Sequence, residues 1–198
     1  MANYATLSEL KAILRITDNV DNTLLEFNVD TASRFVDAYC DRSFEAASGT
    51  AVREFIHTGR YEPLQIDDAT SIVKVEIDDD LDYSFATELV SNVDWQAEPL
   101  NNRLNGISWP YTRLVPFEDG WWPTRRGRAT VRVTATYGWP AVPDAVREAT
   151  LLQASRLFTR YDSPLGIAGF GDMGAMRVSR AVDPDVQQLL QPFRRLEW

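Results

Sequence analysis

The chain is short of the residues that most often carry chemistry. It holds one cysteine (Cys40), one histidine (His57), and two lysines against eighteen arginines in 198 residues. A single cysteine excludes an internal disulfide and a Cys-based metal cluster, and a single histidine excludes multi-histidine zinc sites. No stretch approaches the roughly 18 uninterrupted apolar residues that a membrane span needs, and "MANYATLSELKAIL" lacks the basic-then-apolar pattern of an export signal. A soluble, unexported chain is therefore expected. Basic charge is scarce too: the formal net charge is −9, spread as −4 over residues 1–45, −5 over 46–140 and 0 over 141–198. Nucleic-acid affinity comes largely from neutralising phosphates with Lys and Arg, so this balance argues against a stable DNA binder.

What is present is a globular composition, 44% apolar, enough for one core or a core with a smaller layer. "TLSEL" offers Thr6 and Glu9 at capping-box spacing and predicts a short helix to about Leu14. A second start at Thr23 and Glu26 leads into a long amphipathic helix, with Leu25, Val29, Ala32, Val36, Tyr39 and Cys40 at helical spacing. Cys40, on the apolar side, reads as a small core residue. From about Thr50 the period changes: "AVREFIHTG", "SIVKVEID", "DYSFATELV" and "RATVRVTATYG" alternate as half-buried strands. "EPLNNRLNGISWP" and "VPFEDGWWPTRRG" read as long ordered connections between them. Helix returns after Pro143, with Val146, Thr150, Ala154, Leu157 and Tyr161 along one stripe and Leu151, Leu152 and Phe158 off it, which predicts more than one packing partner. A last short helix has Asp183 as N-cap and Pro184 at its first position, and ends near Pro192.

"GFGDMG", Gly169 to Gly174, spells the dinucleotide fingerprint G-x-G-x-x-G. That fingerprint works only after a strand and before a helix, within a βαβ unit of roughly 30 residues. Here it lies between two helices with 24 residues left, so it is a coincidence of a Gly-rich connection. Residues 163–182 exceed the usual helix–helix connection, and Ile167, Phe170, Met173, Met176 and Arg177 are expected to contact a neighbouring subunit or partner.

The remaining candidates are bland. Asp78 to Asp80 read as a solvated hairpin turn, since neither EF-hand spacing nor the required glycine is present; no metal site is expected. His57 reads as a partly buried structural residue. No G-x-S-x-G elbow, P-loop or His/Cys cluster appears, so neither an enzyme nor a cofactor is expected. Arg125, Arg126 and Arg128 beside Trp121 and Trp122 form the densest basic patch, an insertion surface suited to subunit pairing or to covering aromatic faces.

The order of these elements resembles the head-to-tail adaptor (connector) family of long-tailed bacteriophages. "YGWPAVPDAVREATLLQASRLF" and the closing "DPDVQQLLQPFRR" carry the resemblance, with "YATLSELKAILRI" and the second helix in support. It implies an α+β chain: a small helical bundle from residues 1–48 and 141–198, holding the long Gly-rich loop, and a β-rich insertion at 49–140, by which this chain departs from the family. It further implies a structural virion protein, assembled in the host cytoplasm. Such a protein forms a ring, commonly of twelve subunits, docks under the portal protein, lets DNA pass through its lumen without specific binding, and presents a face to a stopper or tail-completion protein. By the same analogy Phe193, Arg194, Arg195, Leu196 and Trp198 are the expected portal-docking residues. Two other readings remain open: a small ligand-binding module using the Trp/Pro-rich insertion as an aromatic cleft, and a DNA-binding accessory protein.

Overall fold

The computed structural model describes residues 2–104, 106–117, 121–161, 167–169, 175–177 and 183–195, with the backbone alone described at 104, 167–169 and 175–177. The chain divides into two compact units, one from Met1–Glu45 with Val142–Trp198 and one from Ala46–Ala141. Among the described residues, four helices and one short strand pair form the first and an antiparallel sheet dominates the second, so the α+β class read from the sequence is what is found.

In the helical unit, α1 (Leu7–Leu14) begins with the expected capping box. Thr6 Oγ1 accepts from the Glu9 N–H at 3.2 Å, and Glu9 Oε2 accepts from the Thr6 N–H at 2.7 Å. These bonds draw the Glu9 pKa below its ordinary value. Arg15, in the left-handed region at φ 58°, ends the helix. The long helix α2 (Asn22–Cys40) buries Leu25, Val29, Ala32, Val36 and Cys40 of the stripe that the spacing predicts, whereas Tyr39, expected with them, is only half-buried, its ring stacked on Phe35. Its start differs: Asp21 is the N-cap and makes no side-chain cap bond, so Thr23 and Glu26 lie inside the helix. Lys11 organises the preceding turn instead, donating from Nζ to Asn19 Oδ1 and Asn22 Oδ1 at 2.9 Å each.

The third helix, α3 (Asp144–Tyr161), follows Pro143, whose carbonyl accepts from the Val146 and Arg147 N–H groups at 3.0 Å. Leu151 and Ala154 join Ala5, Leu10, Leu25, Val29 and Ala32 in one core, with Leu157 and Phe158 packed at its margin. Tyr161, expected on the apolar stripe, is 61% exposed because the helix has reached its end there. The fourth helix, α4 (Pro184–Leu190), is capped by Asp183, whose Oδ1 accepts from the Asp185 N–H at 2.9 Å. Arg156 of α3 reaches Asp183 Oδ2 at 3.4 Å, and Val186 and Leu190 are buried.

The sheet unit contains β1 (Thr50–Phe55), β2 (Leu64–Ile77), β3 (Thr87–Leu89), β4 (Trp95–Glu98), β7 (Tyr111–Pro116) and β8 (Val131–Tyr137), in the order β1-β8-β2-β7-β4 with β3 also paired to β2. Between β4 and β7, β5 (Arg103–Leu104) and β6 (Ile107–Ser108) make a separate two-stranded ladder. β8 alternates as expected, Val131, Val133, Ala135 and Tyr137 inward, and joins Leu64, Ile66, Val75, Ile77, Trp95, Leu114 and Trp122 in the core. The structure corrects the reading in three places. β2 starts seven residues before "SIVKVEID", β5 and β6 lie inside the expected connection "EPLNNRLNGISWP" while β4 and β7 fall largely in stretches read as neither strand nor connection, and β3 shrinks to three residues.

Asp67 and Asp68 hide the first half of β2, since Asp is a poor strand former. Tertiary bonds override that preference: Trp139 Nε1 donates to Asp68 Oδ2 at 2.9 Å, and Arg53 pairs with Asp67 Oδ2 at 2.5 Å.

Candidate functional site

Four regions concentrate the candidate residues. In the C-terminal segment, a 3-10 turn at Gln191–Phe193 follows α4 directly. Phe193 is only 3% exposed and meets Phe44 edge to face at 5.8 Å, while Phe44 meets Tyr4 in the same way at 5.8 Å. Phe193 thus anchors the tail to its own helical unit and is not an exposed docking residue. Arg194 is exposed, its guanidinium 5.2 Å from the Tyr39 ring centroid, and Tyr39 stacks on Phe35. The Arg195 N–H donates to Cys40 O at 2.8 Å and so satisfies a carbonyl at the end of α2. Leu196 and Trp198 lie outside the described residues.

Cys40 sits beneath this segment, and burial pushes its thiol up to about 12. It is a protonated core group at neutral pH.

The second region is the connection between α3 and α4. Within it β9 (Ile167–Gly169) and β10 (Ala175–Arg177) pair antiparallel, with Gly169 opposite Ala175, Ala168 opposite Met176 and Ile167 opposite Arg177. The glycines do follow a strand, β9, contrary to the sequence reading of a connection between two helices, but they are followed by the strand β10 where a dinucleotide loop needs a helix. Phe170 and Met173 lie outside the described residues, as do the side chains of Ile167, Met176 and Arg177.

Third is the insertion surface. Trp122, expected there, is fully buried: its Nε1 donates to Glu62 O at 3.0 Å and its ring belongs to the sheet core. Trp121 is half-buried with the Arg60 guanidinium 4.5 Å from its ring. Arg125 and Arg126 are exposed, and Arg125 Nη1 donates to Leu81 O at 3.4 Å. Arg128 lies 4.9 Å from the Tyr83 ring and 3.7 Å from Asp78 Oδ2. His57 is structural, its Nε2 3.1 Å from Glu62 O beside Trp122, and burial lowers its pKa.

The fourth region escaped the sequence reading. Asp78, Asp80 and Asp82 each present an oxygen, all within 4.8 Å of one another. The triplet that stands out in the sequence, Asp78 to Asp80, is the wrong one, because Asp79 turns away to accept from Thr87 Oγ1 at 3.1 Å. Alternation supplies the missed signal: "DDDLDYS" is D-x-D-x-D, which places every second carboxylate on one side of a curled loop. Tyr83 donates its N–H to Asp78 Oδ1 at 2.8 Å with φ 77°, and Ser84 donates to Asp82 Oδ1 at 2.7 Å. Desolvation, and then the neighbouring Asp82 and Asp79 charges, raise the Asp80 pKa, whereas the Ser84 bonds lower that of Asp82.

Residues 4–93 match a family described as phage gp6-like head-tail connector protein, a span that runs from the start of α1 into the turn before β4. A search of the curated proteins found no match. Among solved structures, a chain of the "Neck of empty GTA particle computed with C6 symmetry" has a TM-score of 0.53 at 16% identity, covering 97% of this chain and 90% of that one. A chain of the "Virion of native gene transfer agent (GTA) particle" has a TM-score of 0.52 at 14% identity, with the same coverage. At such identities the likeness is one of fold. The resemblance to head-tail connectors carried by the sequence is therefore met by the gp6-like match over residues 4–93, while the chains of gene transfer agent particles share the fold along nearly the whole chain.

Proposed function

We propose that this chain is a structural subunit of a phage-like particle, a head-tail connector with no catalytic role. In this reading it forms a ring in the virion neck, docks under the portal protein, extends the DNA channel and offers its far face to a stopper or tail-completion protein. One observation carries the proposal: the connector-family match covers α1, α2 and the first half of the insertion through β3, and the fold likeness extends over both ends of the chain.

The physical features agree with it. A ring is built from heterologous contacts, so each subunit needs two different faces that fit together. Phe27 of α2 is 60% exposed although α2 already buries a full apolar stripe on its other side, which leaves a second apolar position for a neighbour. A net charge of −9 suits a conduit through which duplex DNA slides without being held. Portal docking falls to Arg194, Arg195 and residues 196–198, with Phe193 holding their base. The ligand-cleft reading is weaker, since Trp122 is committed to the sheet core.

Co-expression with the portal protein of the same particle tests the proposal. Ring particles with the chain stacked on the portal, visible by negative-stain electron microscopy, are expected. A chain that stays monomeric at all concentrations and never co-purifies with the portal overturns the reading.

A further inference from the structure

The loop between β2 and β3 joins a sequence pattern to an electrostatic problem. Three carboxylates, Asp78, Asp80 and Asp82, bring oxygens within 4.8 Å of one another, and like charges at that distance repel. The second observation concerns Asp78 alone. It is 0% exposed, and its Oδ2 has no hydrogen-bond partner among the described residues. A buried carboxylate oxygen without a donor is costly, and native structures rarely leave one so. Arg128 Nη2 is the nearby cation, but at 3.7 Å it stands beyond hydrogen-bond reach, and its place over the Tyr83 ring accounts for its position. The guanidinium moderates the local charge without filling the lone pairs.

We propose that Asp78, Asp80 and Asp82 form a binding site for a hard divalent cation, Ca²⁺. Two oxygens up to 4.8 Å apart can both lie about 2.4 Å from one ion, the distance Ca²⁺ takes to carboxylates. An all-oxygen donor set with no thiol or imidazole suits a hard cation over the softer transition metals, and the irregular loop geometry suits Ca²⁺ over the strictly octahedral Mg²⁺. Positions 1, 3 and 5 of the loop follow the first half of an EF-hand loop. At position 6, where that loop needs a glycine, Tyr83 adopts the positive φ that a glycine would supply. Leu89 stands at position 12, so no bidentate glutamate closes the shell, and backbone carbonyls and water complete it. Affinity in the weak range, about 10⁻⁴ M, follows from three carboxylates without that glutamate. The ion would fix the turn between β2 and β3 and remove the repulsion that now crowds it.

The full-length chain, stripped with EDTA, is titrated with CaCl₂ by calorimetry and with TbCl₃ by luminescence excited through the loop tyrosine, Tyr83. Saturable binding of one ion per chain is expected, with Ca²⁺ displacing Tb³⁺. The double variant Asp80→Asn with Asp82→Asn keeps the backbone-accepting oxygens and exposed positions, so it folds, and should bind at least tenfold more weakly. The Arg128→Gln variant should bind as well as the parent or better. Absence of a saturable signal, equal binding by the double variant, or binding seen only after Arg128→Gln each overturns the proposal; the last would mean that Arg128 already satisfies Asp78.

Discussion

The backbone N–H of Arg195 donates to the carbonyl of Cys40 at 2.8 Å, so the C-terminal segment is stitched to the final residue of α2 from 155 positions away in sequence. Phe193, two residues earlier, fills the space beside Phe44. Phe193→Ala is expected to cost about 3–5 kcal/mol of unfolding free energy, the range for truncating a buried aromatic, whereas Arg194→Ala should cost less than about 1 kcal/mol. Denaturant melts of both variants check this. A chain ending at Gln191 should be destabilised like Phe193→Ala, while one ending at Arg195 should stay folded and lose portal association alone.

Trp139 and Asp68 make the second test. Replacing the indole by Trp139→Phe removes the Nε1 donor from a buried carboxylate, and charged hydrogen bonds of this kind are worth about 1.5–3 kcal/mol. The pairing of Trp139→Phe with Asp68→Asn in a double-mutant cycle should show coupling of at least about 1 kcal/mol. Additive effects would mean that the bond contributes little to the sheet unit.

Alkaline stability follows from two tyrosines. Burial foremost, and for Tyr4 the bond to Asp37 next, pushes the phenols of Tyr4 and Tyr137 from 10.0 up to about 12. The folded state holds these protons more tightly than the unfolded chain, so their contribution is whole below the unfolded pKa and is lost as pH rises through the folded one. Melting temperature should therefore fall between about pH 10 and pH 12, and Tyr4→Phe and Tyr137→Phe should each flatten that slope. A wild-type slope retained in both variants would count against this origin.

The β9–β10 ladder has three paired positions, too few for a stable free hairpin. On the ring reading, its amides should exchange quickly in a free subunit and slow markedly once subunits assemble, measured by hydrogen exchange with mass spectrometry. Equal rates in both states would remove the connection from the set of subunit contacts.

Legibility in the sequence tracked how local the signal was. The α2 stripe from Leu25 to Cys40, the Thr6–Glu9 box, the Pro143–Asp144 start and the Asp183–Pro184 start are short-range patterns that formed as expected, and only the start at Thr23 and Glu26 did not. The first half of β2 was hidden because Asp67 and Asp68 are held by Arg53 and Trp139, partners that no window around them contains. β4 and β7 were masked by Pro, Asn and Trp in their connections. At the candidate sites, Phe193 and Trp122 look like exposed anchors in a polar neighbourhood, yet their partners Phe44 and Glu62 lie far along the chain. Asp82 is not legible as a partner of Asp78 and Asp80 because adjacency along the chain differs from proximity in a curled loop, where Asp79 turns to Thr87 and the alternate carboxylates meet.

The way the two units share the chain also governs when each can close. Residues 46–141 are contiguous, so the sheet has all its strands as soon as they leave the ribosome. Helices α1 and α2 emerge earlier yet must wait for α3 and α4, with their apolar stripes uncovered meanwhile. During synthesis Leu25, Val29 and Val36 therefore stay open to a chaperone until α3 and α4 have followed the sheet out and covered them.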